Sequence, residues 1–159
     1  MDFRERLQKA ANRGARQRQA RESAEAAEAL SEEECRRRHS QHRLELSEHI
    51  EECVRQLADN FPGFRTETIV SDQGWGAGVT RDDLHIAAGK RTNLFSRLQV
   101  VVEPYNEYHV VSIAAKGAVR NKETFTRKHY EPISDFDREQ FQELIEQWVL
   151  DYAELFAAA

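Results

Sequence analysis

Glycine and proline are scarce in this chain, seven and three among 159 residues, and neither occurs from Ala15 to Phe61. So long a stretch without a breaker, made mostly of strong helix formers, excludes tight turns and reads as helix. Punctuation returns at Phe61-Pro62-Gly63. Long hydrophobic runs are also missing. Residues 1–20 hold no apolar core of the kind a signal peptide needs, and nothing approaches the length of a membrane span. The expected compartment is therefore cytoplasmic, with no membrane span. The Arg-rich, acid-poor residues 3–21 also have the composition of a transit peptide or a membrane-surface helix, but Phe3 and Leu7 alone give such a helix too small an apolar face. Cysteine is limited to Cys35 and Cys53, 18 positions apart. On one continuous helix that separation is about 27 Å, beyond disulfide reach, which favours free thiols and a reducing compartment. There is no GxGxxG, no phosphate loop and no CxxC pair, so nucleotide-binding and zinc-ribbon signatures are absent.

What is present divides by charge. Residues 1–21 carry seven basic against two acidic side chains, residues 85–130 eight against three, and residues 131–159 one against eight. Charged residues make up 32% of the chain, above the usual quarter, so part of it must be strongly solvated. The net charge of −5 averages over this layout and says little about partners.

The apolar periodicity predicts an α+β domain of a long N-terminal helix, an antiparallel β-meander of five to six strands, and a C-terminal amphipathic helix packed on one sheet face. Residues 1–30 read as a loosely attached helical arm and residues 31–159 as a single α+β domain. The arm's stripe is poor: Phe3, Leu7 and then only alanines before Leu30. Ser31 followed by Glu34 matches a capping box and predicts a new helix start. Leu46, Ile50, Cys53, Val54, Leu57 and Phe61 fall on one stripe and are expected in the core. Residues 32–43, nearly all charged, are expected to lie beyond the sheet. Strands are predicted at 64–70, 75–80, 84–88, 94–102, 108–119 and 124–130. Turns are expected at Ser71–Gly74, at Arg81-Asp82-Asp83 and at Arg120-Asn121-Lys122, and a polar loop over 89–93. Ser134 with Asp137 is read as the start of the last helix, whose core set is Phe141, Leu144, Ile145, Trp148, Val149, Tyr152, Leu155 and Phe156.

Three constellations are candidates for function. The run Gly74-Trp75-Gly76-Ala77-Gly78 is the first; glycines at alternate strand positions leave one face bare for close approach of a helix, a ligand or another chain. Gly74, Trp75, Gly76 and Gly78 are thus the candidate groove. The second is the basic sheet segment, in which Arg97, Lys116, Arg120, Lys122, Arg127 and Lys128 are interleaved with aromatics and offer a polyanion or single-stranded nucleic-acid surface. Strand parity gives the same pattern to an ordinary solvated face. The third lies on the long helix, where Cys35, His39, His42, His49 and Cys53 fall within about 80° around the axis. Cys35, His39 and His42 are weak metal candidates, because one helix rarely closes a tetrahedral site alone.

No side chain stands in a nucleophile-elbow context and the remaining histidines are scattered, so neither catalytic residues nor a cofactor are expected. The function expected is a non-enzymatic protein-interaction or adaptor module, with a protein partner or self-association through its long helix favoured. The alternatives are polyanion or nucleic-acid binding, then a small-molecule carrier or an enzyme with a pocket at the Gly74–Gly78 strand.

Overall fold

The computed structural model describes residues 2–159, except for the side chains of residues 27–30. Ala27, Ala29 and Leu30 of the predicted N-terminal stripe therefore lie outside the described residues. The elements are α1 (Phe3–Asn60), β1 (Arg65–Ser71), β2 (Gly74–Ala87), β3 (Lys90–Val102), β4 (Val110–Val119), β5 (Lys122–Pro132), a 3-10 turn (Ile133–Asp135) and α2 (Arg138–Ala158). This is an α+β fold. The chain divides into two compact units, Met1–Arg37 and Arg38–Ala159. Among the described residues no helix is long and apolar enough to cross a membrane.

In the first unit α1 is capped by the Asp2 carboxylate, which accepts from the Glu5 N–H at 2.9 Å. The described side chains up to Ala26 are all exposed. No new helix starts at Ser31, because the helix runs through it. The expected capping box does not form: Glu34 pairs forward with Arg37 at 2.6 Å, and Glu32 with Arg36 at 3.7 Å. Neighbouring alanines are good helix formers, so nothing there interrupts the backbone ladder.

The second unit is a five-stranded antiparallel meander in the order β1-β2-β3-β4-β5, with helices on one face. Alternation along β2 to β5 builds the core. Ala77 and Val79 of β2, Leu98, Val100 and Val102 of β3, Val111, Ile113 and Ala115 of β4, and Phe125 of β5 are buried. Leu46, Ile50, Val54 and Leu57 of α1 meet them on one side. Phe141, Ile145, Trp148, Val149, Tyr152 and Phe156 of α2 complete the layer. Leu155, expected in the core, stays exposed. The last helix begins at Asp137, whose carboxylate accepts from the Gln140 N–H, and not at Ser134, which lies in the 3-10 turn.

Two further expectations are corrected in the sheet. Arg81-Asp82-Asp83 is not a turn and residues 89–93 are not a loop: β2 and β3 run on as a hairpin paired from Trp75↔Val102 to Ala87↔Lys90. Its tip turns at Ala88 and Gly89, both at positive φ, 52° and 78°. Ala-Gly lacks the Asn-Gly or Asp-Gly signature of such a turn. The outer part of the hairpin, past the reach of β1 and β4, has no buried face, so burial imposes no hydrophobic alternation and polar residues read as turns. Arg81 secures its base by donating to Asp83 Oδ1 and to the Pro62 carbonyl, both at 2.9 Å. At the opposite edge, Asn121 donates to the Asn93 carbonyl and accepts from the Phe95 N–H, each at 2.8 Å, which docks the β4–β5 turn onto β3.

Residues 32–43 were expected outside the core, yet His39 is only 1% exposed. Its ring donates to the Glu103 backbone carbonyl and stands edge-on to Tyr105 at 5.5 Å. Burial, followed by Arg43 nearby, lowers its pKa, against the opposing Glu103 hydrogen bond; a smaller effect of His42 also lowers it. His42 stacks on Phe136 at 3.8 Å and is lowered chiefly by burial, with Glu45 opposing and Arg38 reinforcing. Both imidazoles are therefore favoured neutral in the folded state, while the unfolded chain takes up protons near the ordinary value of about 6.5. Stability is fully present above that value and is lost as pH falls through the folded-state pKa. Going from about pH 7.5 to about pH 5.5 should lower the urea midpoint, and His39→Gln should flatten the dependence. An unchanged slope in that variant would contradict the assignment.

Candidate functional site

Strand parity that buries one face of the sheet leaves the other free of helices, and the register aligns that face into rows. One row runs Ile69–Gly76–Val101–Ala114–Lys128 across all five strands, and the next Glu67–Gly78–Gln99–Lys116–Thr126. In each row the β2 position is a glycine. A Cβ built at Gly76 would lie 1.9 Å from the Val100 carbonyl oxygen, one at Gly74 2.5 Å from that of Val102, and one at Gly78 2.7 Å from that of Leu98. The backbones of β2 and β3 thus close on each other on this face in a way that only glycine permits.

On this face lies a depression of about 420 Å³, with Ile69, Val101 and Ala114 among its apolar lining. Asp72, Gln73, Gln99 and Lys116 supply polar groups. A second depression of about 410 Å³ lies beside it, lined by Tyr108, Val110, Ser112, Lys128 and Tyr130, and Glu103 borders both. Glu103 is fixed there: its Oε1 accepts from Ser112 Oγ at 2.6 Å and from Lys128 Nζ at 3.2 Å. Tyr108 and Tyr130 are 75% and 62% exposed, an unusual outlay of aromatic surface beside a concave floor.

The sequence candidates separate on this surface. Gly74, Gly76 and Gly78 share the helix-free face, whereas Trp75 points to the other, where the Arg43 guanidinium lies 3.5 Å from its ring centroid. Of the basic set, Arg97, Lys116 and Lys128 face the groove side. Arg97 is paired with Glu123 at 3.1 Å and Lys128 with Glu103, so acidic partners offset two of the three charges. Arg120 lies in the β4–β5 turn and Lys122 opens β5, paired with Val119. Arg127 lies on the helix-bearing face, 4.4 Å over Phe125. His39 and His42 are engaged by separate aromatic rings, and Cys35 is a free, half-buried thiol of the first unit.

Ile69, Val101, Ala114 and Glu103 carried no sequence signal as site residues. Only the register places them side by side, although the alternate glycines marked the strand they surround. No protein-family model, no curated protein and no solved structure matches this chain.

Proposed function

We propose that the second unit is a non-enzymatic protein-interaction module that holds an extended segment of a partner protein across the helix-free sheet face. The observation that carries this reading is the row Ile69–Gly76–Val101–Ala114–Lys128, in which Ile69, Val101 and Ala114 line a shallow depression bordered by polar groups. Two adjoining depressions suit a chain with side chains at successive positions better than one compact molecule. Exposed tyrosines at the far end supply the kind of anchor on which interfaces concentrate their affinity. Lys116 at the wall favours a partner segment with an acidic residue placed to meet it. The offset charges of Arg97 and Lys128 make a polyanion the poorer fit.

A displayed library of random peptides, selected on the full chain, tests this. Selected peptides should shift the amide resonances of Ile69, Gln99, Val101 and Ala114, and Ala114→Lys should weaken binding at least about tenfold, or about 1.4 kcal/mol. Failure to enrich any sequence, or shifts confined to another surface, would overturn the reading. Sedimentation of the same samples identifies a different occupant: a dimer abolished by Ala114→Lys would make a second copy of this chain the partner.

A further inference from the structure

On the opposite side of the second unit, α1 and α2 bring together three donors of a metal-ligating kind. His49 and Cys53 are one turn apart on α1, and Glu146 comes from α2. Their ligand atoms all lie within 4.8 Å of one another. His49 Nε2 stands 3.6 Å from Cys53 Sγ and 3.3 Å from Glu146 Oε1. A tetrahedral zinc ion, with bonds of about 2.3 Å to sulfur and about 2.05 Å to nitrogen or oxygen, separates its donors by about 3.6 Å for sulfur–nitrogen and about 3.3 Å for nitrogen–oxygen. Both observed distances are edges of that tetrahedron.

We infer that His49, Cys53 and Glu146 form a binding site for a divalent zinc-like cation that ties α1 to α2. Thiolate, imidazole and carboxylate together select such an ion over magnesium or calcium, which prefer all-oxygen sets. The His and Cys are half-buried, while Glu146 is exposed, with its carboxylate within 4.8 Å of the Cys53 sulfur. An open depression of about 320 Å³ adjoins the three donors, with Gln56, Asn60 and Phe61 on its wall, and gives a fourth ligand such as water access to the ion. Without the ion the thiol is held protonated, its pKa pushed up to about 11 by burial and then by Glu146 and Glu52. Binding releases that proton as the thiolate–metal bond forms, and the ion's charge offsets the two carboxylates.

The test uses the full chain, reduced and free of any affinity tag. Titration with zinc should give one ion per chain with a dissociation constant of about 1 μM or tighter. Cobalt should give a thiolate-to-metal charge-transfer band and the intense visible bands of a tetrahedral ion. Cys53→Ser and Glu146→Gln should each weaken zinc binding by at least the roughly 10–100-fold that losing even an outer partner costs. Cys35→Ser should leave it unchanged. With free zinc at about 100 times the dissociation constant, the melting temperature should rise by about 5–10 °C. Binding weaker than about 100 μM would overturn the inference. So would wild-type affinity in Cys53→Ser, or cobalt spectra without the thiolate band. Because Cys53→Ser nearly conserves shape at a half-buried position, its folding by circular dichroism keeps the comparison sound.

Discussion

Tyr152→Ala should cost about 3–5 kcal/mol of unfolding free energy, the range for deleting a large aromatic from a packed core. Tyr152 is the largest of the fully buried side chains. Its ring stands edge-on to Phe125 at 5.8 Å and to Phe64 at 6.5 Å, and covers Gly117, whose missing side chain makes room for it. Its hydroxyl donates to the Ala118 carbonyl at 2.8 Å, near the end of β4 where the β4–β5 register shifts. One residue therefore locks α2 to the strand by packing and by a directed bond. Tyr152→Phe separates the two: it keeps the ring and leaves a buried carbonyl without its donor, for a cost of about 1–2 kcal/mol. Urea unfolding followed by tryptophan fluorescence measures both. A loss below about 1 kcal/mol in the alanine variant would show that α2 is not anchored at this point.

Gly76→Ala should be nearly as severe, at about 3 kcal/mol, though it adds a single carbon. The new Cβ would meet the Val100 carbonyl at 1.9 Å and the Val101 Cα at 2.8 Å, and both are backbone atoms of the paired strand. Neither can step aside as a side-chain end would, so the β2–β3 ladder must part. The same change at Gly78 meets the Leu98 carbonyl at 2.7 Å and should cost less. Thermal unfolding of the two variants should thus rank Gly76 below Gly78 in stability. Equal and small losses would mean that the strands are not pressed together.

The architecture was legible in the sequence because burial writes a period into it. Leu46, Ile50, Val54 and Leu57 recur at helical steps and are buried together, and the set from Phe141 to Phe156 does the same for α2. Alternation around Leu98, Val100 and Val102 marked the centre of the sheet for the same reason. Where no face is buried the period disappears, and Arg81-Asp82-Asp83 and residues 89–93 of the long hairpin looked like a turn and a loop. His39 shares the apolar stripe of α1, but the stretch 32–43 around it reads as solvated. Its neighbours on the helix are charged, and only the approach of Tyr105 and the Glu103 carbonyl makes a buried place for it.

The candidate sites divide in the same way. The alternate glycines announced a bare strand face, a local property of backbone and side-chain size. That Ile69, Val101 and Ala114 line up across them depends on strand register, which is set by pairing between distant segments and leaves no mark at any single position. His49 and Cys53 were visible as an i, i+4 pair, but one helix cannot surround an ion. Glu146, 93 positions after Cys53, becomes the third donor only because α2 lies alongside α1. The sequence by itself determined which segments with a buried face are helix or strand and which of their faces are apolar, since these follow from propensity and periodicity along the chain. Which polar residues meet was decided by the tertiary structure, because their meeting depends on packing between elements that are remote in sequence.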